Sequence, residues 1–430
     1  MRLQMHRFIT PALALGLAFS TGVAAQPLAV DPDAAADPET GIRLPAGFTA
    51  TVFADDVGIA RHIAVRDNGD VYVALAQQVD GTGIVALRDS DGDGVADEQI
   101  RFGDVEGTGI AIHDDMLYFA TDTEVVRFEF PEDGMAPEAA SELVVGDFPA
   151  QRGHASKTIA FDGDGNIYVN AGAPSNACQQ PQRTPGAPGR QPCDELERTG
   201  TIWKFDLESI PHVQRDGERH ATGLRHGMAI DWHPGADALF MTMHGRDQLD
   251  TLWPDFYTAE DNAELPAEEF HKVVKGSNMG WPYTYWNGIE GKRMVSPEYG
   301  GDGQTVSDNP DFQDPLIAFP GHWAPNDMVF YTGDAFPEAF RGGAFVAFHG
   351  SWNRAPLPQG GYQIAFVPFE DGAPTGDWHT FADSFKGAEV LESPTDAVHR
   401  PSGVGVGPDG ALYIGDTVKG RIWRVTYEGE

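Results

Sequence analysis

One unit returns along this chain: an apolar strand, an Asp/Gly/Asn turn, and a second strand carrying an aromatic residue. It reads HIAVRDNGDVYVAL at 62–75, GIAIHDDMLYFAT at 109–121, TIAFDGDGNIYVNAG at 158–172, GMAIDWHPGADALFMTM at 227–243, DMVFYTGDAFPEAFRGGAFVAF at 327–348 and GVGVGPDGALYIGD at 403–416. The second strands begin near Val71, Leu117, Ile167, Leu239, Phe345 and Leu412, so the closest neighbours are 46 and 50 residues apart. That is the length of one four-stranded blade, and the wider intervals leave room for inserted loops. Alternating hydrophobicity without helical periodicity makes the chain all-β and predicts a six-bladed β-propeller; a pair of β-sandwiches is the rival arrangement. EVVRFEF (124–130), GTIWKFD (200–206) and GRIWRVTY (420–427) supply further strands, and FTATVFA (48–54) is expected to pair with the last blade. That pairing would close the ring and remove an exposed edge.

Charge narrows the partners. With 65 Asp and Glu against 29 Lys and Arg, the net charge is −36. A nucleic-acid ligand needs a basic surface, and an anionic membrane repels such a chain, so neither is expected. Residues 1–25 read as a secretory signal: Arg2 and Arg7, an apolar run from Phe8 to Phe19, and the small residues Val23-Ala24-Ala25. No other stretch has membrane length, so stable membrane insertion is not expected. The expected organisation is a signal peptide at 1–25, an extended arm at 26–43 and the propeller at 44–430, in a periplasmic or secreted protein. In such a compartment Cys178 and Cys193, the only two cysteines, are expected to form a disulfide. A loop of that size contributes about 3 kcal/mol in the chain-entropy model.

The stretch Thr222 to Asp250 carries polar clusters at both ends of a predicted hairpin: Arg225 and His226 before the first strand, and His244, Gly245, Arg246 and Asp247 after the second. Antiparallel pairing brings both clusters to one rim of a sheet. His154 precedes a first strand in the same way. A neutral imidazole there suits removal of a hydroxyl proton, although a single histidine ahead of a strand is more often structural. Arg61, Arg225 and Arg400 also precede first strands, and Arg246 and Arg354 follow second strands. One such arginine is ordinarily a surface ion-pair partner; several on one rim suit a polycarboxylate, because guanidinium binds carboxylate through two parallel hydrogen bonds. Glu268 and Glu269 are possible oxygen ligands for calcium, and either alone is equally a solvated acid. Trp281, Tyr283 and Trp352 suit stacking against a sugar or a flat cofactor, or packing between blades. The run DSDGDGVADE (89–98) resembles the start of a calcium loop, but Ile100 stands where an EF-hand needs glutamate, and a hairpin turn is the simpler reading.

Together these pieces resemble the glucose/sorbosone dehydrogenase family, the soluble quinoprotein sugar dehydrogenases that use pyrroloquinoline quinone (PQQ). The resemblance runs from about Leu44 to Tyr427. It rests on LPAGF (44–48), GLRHGMA (223–229), HGRDQLD (244–250), ELPAEEF (264–270), KGSNMGWPY (275–283), FHGSWNRAP (348–356), PQGGY (358–362) and HRPSGVGVGPDGALYI (399–414). It implies a six-bladed propeller with PQQ across one face and calcium beneath it. His154 would be the general base and Arg225 the contact to the reactive quinone oxygens. Arg400 would bind a quinone carboxylate, and the Gly245 and Arg246 carbonyls would hold calcium. His226 stands where the best-known members carry asparagine, and Arg354 is the nearest cation where they carry lysine, so both join the expected cofactor contacts.

The expected function is oxidation of a sugar or sugar-derived aldehyde by hydride transfer to PQQ, with electrons passed on to a quinone or cytochrome acceptor. A calcium-dependent lactonase and a non-catalytic propeller that binds carbohydrate or protein are the alternatives. Substrate choice is assigned to the inserted loops at 172–199, 250–270 and 286–325.

Overall fold

A computed structural model describes residues 29–131 and 134–429; residues 1–25, expected to be a signal peptide, lie outside these residues. The chain forms a six-bladed β-propeller. Blade I holds Ala60–Val65, Val71–Val79, Thr82–Arg88 and Glu98–Phe102, and blade II holds Gly109–His113, Met116–Ala120, Val125–Glu129 and Glu142–Gly146. Blade III is Ile159–Phe161, Asn166–Ala171, Thr201–Asp206 and Glu218–Thr222, and blade IV is Ala229–His233, Ala238–Met243, Glu268–Val273 and Ile317–Phe319. Blade V is Pro325–Phe330, Ala344–Phe348, Gln363–Val367 and His379–Ala382. Blade VI takes Pro401–Val406, Leu412–Asp416 and Ile422–Tyr427 from the end of the chain and Phe48–Ala54 from its beginning. Phe48 pairs with Tyr427 and Val52 with Trp423, antiparallel, which is the ring closure the sequence predicts.

The six repeat units are the two inner strands of the six blades. Each blade buries both faces, so its strands are apolar almost throughout. Along Val71–Val79, Val71, Val73 and Leu75 pack toward blade VI with Tyr413 and Ile422, whereas Tyr72 and Ala74 pack toward blade II with Leu117 and Phe119. A strand's period of two thus feeds two interfaces at once. The core is six such clusters, one between each pair of neighbouring blades.

Cys178 and Cys193 are joined in a disulfide within the insertion between the second and third strands of blade III. The next insertion folds into the short helices Leu249–Leu252 and Ala259–Glu264, which the strand-based reading does not anticipate. The second helix starts on a capping box, in which Thr258 Oγ1 accepts from the Asp261 backbone N–H and Asp261 Oδ2 accepts from that of Thr258. The N-terminal arm lies against blades V and VI, with Arg43 paired to Asp383 and Thr40 accepting from Trp423 Nε1. Among the described residues no helix is long and apolar enough to cross a membrane.

Candidate active site

Hairpin geometry decides which residues meet. In blade IV, Ala229 pairs with Thr242, so the chain entering the first strand and the chain leaving the second lie side by side, and His244 N–H donates to the His226 carbonyl. Blade V repeats this with His349 N–H on the Ala324 carbonyl, and blade VI with Arg400 N–H on Asp416 Oδ1 at 2.7 Å. Neighbouring blades are stitched at the same rim by Ala173 N–H donating to the Arg225 carbonyl. The rim surrounds a cavity of about 260 Å³ whose walls include His154, Arg225, His244, Gly245, Asp247 and Arg400. Below it the inner strands enclose a channel of about 200 Å³. The two spaces adjoin at His62, a channel residue whose Nε2–H donates to the carbonyl of Asn326 in the cavity wall.

His154 is held from behind. Its Nδ1–H donates to the Ala173 carbonyl at 2.5 Å, which leaves Nε2 as the basic nitrogen. Its backbone takes φ 52°, a left-handed conformation that costs a non-glycine residue about 1 kcal/mol or more. Burial, reinforced by Arg225, lowers the imidazole to about 3, so it is neutral at neutral pH.

Arg225 is 4% exposed. Its Nη2 donates to Asp247 Oδ2 at 2.7 Å and to Asn176 Oδ1 at 3.2 Å, and its Nε has no partner. Burial opposes ionisation of Asp247, but Arg225, His322 and Arg183 outweigh it and hold the carboxyl at about 2. Arg400 reaches the rim from blade VI, donating through Nε to the His349 carbonyl and through Nη2 to the Gly350 carbonyl, with its guanidinium over the Tyr362 ring at 5.4 Å. No carboxylate pairs with it among the described residues, so its charge is available to an anion.

The remaining predicted cations are placed differently. The Arg246 guanidinium is buried against Glu298 and borders a small interior void next to the cavity, because the strand leaving Met243 turns that side chain under the rim. Arg354 is spent on Glu264 Oε1 at 2.7 Å and the Gly321 carbonyl at 2.9 Å, and does not line the cavity. His226 stands behind the wall, its ring 4.8 Å from that of His154 and 5.3 Å from that of His244. Gly245 is in the wall, and its N–H donates to Glu268 Oε2 at 2.8 Å.

Strand alternation separates the two glutamates. Glu269 faces Arg293 and His271, an internal ion pair, whereas Glu268 faces the cavity. Burial pushes the Glu268 carboxyl up to about 8 against the bonds from the Gly245 and Ala324 N–H groups. Of the three aromatics, Trp352 lines the cavity and is 55% exposed, while Trp281 is buried with its Nε1–H on the Asn176 carbonyl and Tyr283 packs against Tyr299. In the loop 89–98 the aspartates serve as turn acceptors: Asp89 takes the Gly92 and Gly94 N–H groups and Asp97 that of Ser90.

His244 and Asp247, which the sequence places in the polar cluster after the second strand, line the cavity, and so do His322, His349 and Asn353, to which the sequence reading gives no role. His349 had a readable signal: FHG at 348–350 leaves blade V as MHG at 243–245 leaves blade IV.

An uncharacterised protein of Borreliella burgdorferi is 28% identical over 211 residues, 48% of each chain, so the chain spans about half the length of that relative. A pyrroloquinoline quinone-dependent sugar dehydrogenase of Hypocrea jecorina is 22% identical over 393 residues, 86% of this chain and 81% of that one. Among solved structures, the holo form of the pyranose dehydrogenase PQQ domain from Coprinopsis cinerea is similar with a TM-score of 0.71 at 18% identity, covering 92% of this chain and 99% of that one. At such identity the likeness concerns the fold. The sequence itself matches a family pattern over residues 42–428, and by that match the chain belongs to the TrAA12-like family.

Proposed function

We propose that the protein is an exported dehydrogenase that oxidises a sugar or sugar-derived aldehyde using PQQ and calcium at the cavity above the channel. The observation that carries this reading is the convergence of His154, Arg225 and Arg400 on one cavity in a protein of net charge −36. Two guanidiniums there, one of them without a carboxylate, fit an anionic planar cofactor. The Gly245 and Arg246 carbonyls fit a hard cation that takes oxygen ligands. Arg246 enters through its carbonyl, since its side chain serves Glu298.

PQQ supplies, when bound, a two-electron acceptor for hydride leaving the substrate carbon, with calcium polarising it. The chain's part is to bind, orient and deprotonate. His154 Nε2 takes the hydroxyl proton, while the Ala173 carbonyl fixes the tautomer and favours the imidazolium that forms. Arg225, held by Asp247, aims positive charge at the oxygen where negative charge develops. Trp352 offers an aromatic face to the sugar. A lactonase-type metal site in the channel has less support, since Asp231 and Asp327 there are each spent on two backbone N–H groups.

Reconstitution tests the proposal. Purified protein given PQQ and calcium is expected to gain a quinone absorption band and dye-linked aldose oxidation, and His154→Ala to keep the band while losing about 10²-fold or more in turnover. Lactone hydrolysis without PQQ would replace this reading with the hydrolase, and wild-type turnover in His154→Ala would remove His154 as the base.

A further inference from the structure

The disulfide-closed insertion has a buried root at the site. Asn176, two residues before Cys178, is 3% exposed and uses every polar atom of its side chain. Its Oδ1 accepts from Arg225 Nη2 at 3.2 Å and from the Asp247 backbone N–H at 2.9 Å, while its Nδ2 donates to the Asp247 carbonyl at 2.9 Å. One amide therefore grips the main chain of Asp247 on both sides and the guanidinium of Arg225. Asn176 is itself fixed, since its carbonyl accepts from Trp281 Nε1 at 3.1 Å and the preceding Ser175 Oγ accepts from the Cys178 N–H at 2.8 Å. The same insertion also sends Arg183 Nη2 to Asp247 Oδ2 at 3.3 Å.

We propose that this insertion is a positioning device for the site, with Asn176 as the residue that sets the orientation of Arg225. The geometry gives the reason. Asp247 alone holds Arg225 through one nitrogen, Nη2, about which the guanidinium plane can swing; the Asn176 acceptor on that same nitrogen removes the swing and keeps the other N–H groups turned one way. A buried amide whose oxygen and nitrogen are both engaged is a stiff support for a charged group. The consequence for turnover rests on the proposed role of Arg225 toward the quinone; the positioning itself does not.

The test therefore has two readouts, made on Asn176→Ala and on Asn176→Asp, which keeps the acceptor oxygen for Arg225 and gives up only the donation to the Asp247 carbonyl. On the quinone-free protein, labelled at arginine, the Arg225 Nε–H resonance is assigned by its loss in Arg225→Lys. Its protection from exchange is expected to fall at least about tenfold in Asn176→Ala and to recover in Asn176→Asp. On the PQQ-loaded protein, Asn176→Ala is expected to lose about 10²-fold in kcat with little change in KM and to shift the quinone absorption band, with Asn176→Asp restoring both. Unchanged protection in Asn176→Ala overturns the proposal whatever the protein binds, and so does equal loss of protection in both variants, which would mark a merely structural role. Lost and rescued protection in a protein that takes up no PQQ supports the positioning and removes the quinone reading instead.

Discussion

A single methyl group tests the placement of His154. Gly172 does not take a positive φ, so alanine fits its backbone, and any effect must come from crowding. A Cβ there would lie 2.6 Å from the His154 carbonyl oxygen, 2.6 Å from His226 Cδ2 and 2.7 Å from His154 Cβ. Ordinary contacts between such atoms lie near ~3.5–4.0 Å, so the neighbours must move by about 1 Å. Neither is free to do so. The His154 carbonyl accepts from Gln151 Nε2 and its ring is pinned to Ala173, and His226 is packed between two imidazoles. Crowding of this kind costs about 1–3 kcal/mol in stability, and a displacement of about 1 Å in a catalytic base costs about 10²-fold in rate. Gly172→Ala should therefore melt a few degrees lower and, under the proposed function, bind PQQ as wild type does and turn over about 10²-fold more slowly. The assays are thermal unfolding, quinone absorbance and dye-linked oxidation. Wild-type turnover at normal PQQ occupancy would refute the argument that the His154–Gly172 contact fixes the base.

Arg400→Ala removes the cavity guanidinium that has no carboxylate partner and is expected to weaken PQQ binding at least about tenfold, read by titrating the absorption band. Trp352→Ala, at an exposed cavity residue, should raise the sugar KM several-fold with stability within about 0.5 kcal/mol of wild type. The channel histidine His62 provides a pH test. Burial, with help from Arg61, lowers its imidazole to about 3, and its 3.3 Å contact to Asp327 joins neutral groups, since burial also raises the Asp327 carboxyl. A depressed imidazole contributes stability present above the unfolded value near 6.5 and lost as pH falls toward the folded one. Wild type should thus lose stability relative to His62→Gln by up to about 1.4 kcal/mol per pH unit below 6.5. Urea unfolding of both at pH 7.5, 6.0 and 5.0 measures this, and a constant difference would contradict the assignment.

The fold was legible because a propeller writes its period into the chain: each hairpin has two apolar faces and a polar turn, and Phe48–Ala54 could be recognised as a strand without a local partner. The rim was legible for the same reason, since hairpin geometry carries residues before a first strand and after a second strand to one edge, as it does for Arg225 and His244. Side-chain direction was not. Arg246 and Arg354 satisfy the same positional rule as Arg225 and Arg400, yet they are spent on Glu298 and Glu264, acids that arrive from insertions with no periodic signal.

The local alternation of apolar and turn residues alone thus determined the blades, their number and the edge where polar residues gather, because those depend on contacts within a hairpin or between successive ones. Which of those polar residues share a cavity, and which are neutralised before reaching it, was decided only when loops distant in sequence packed together. Asn176 meets Asp247 and Glu268 parts from Glu269 through burial and pairing that no single segment contains.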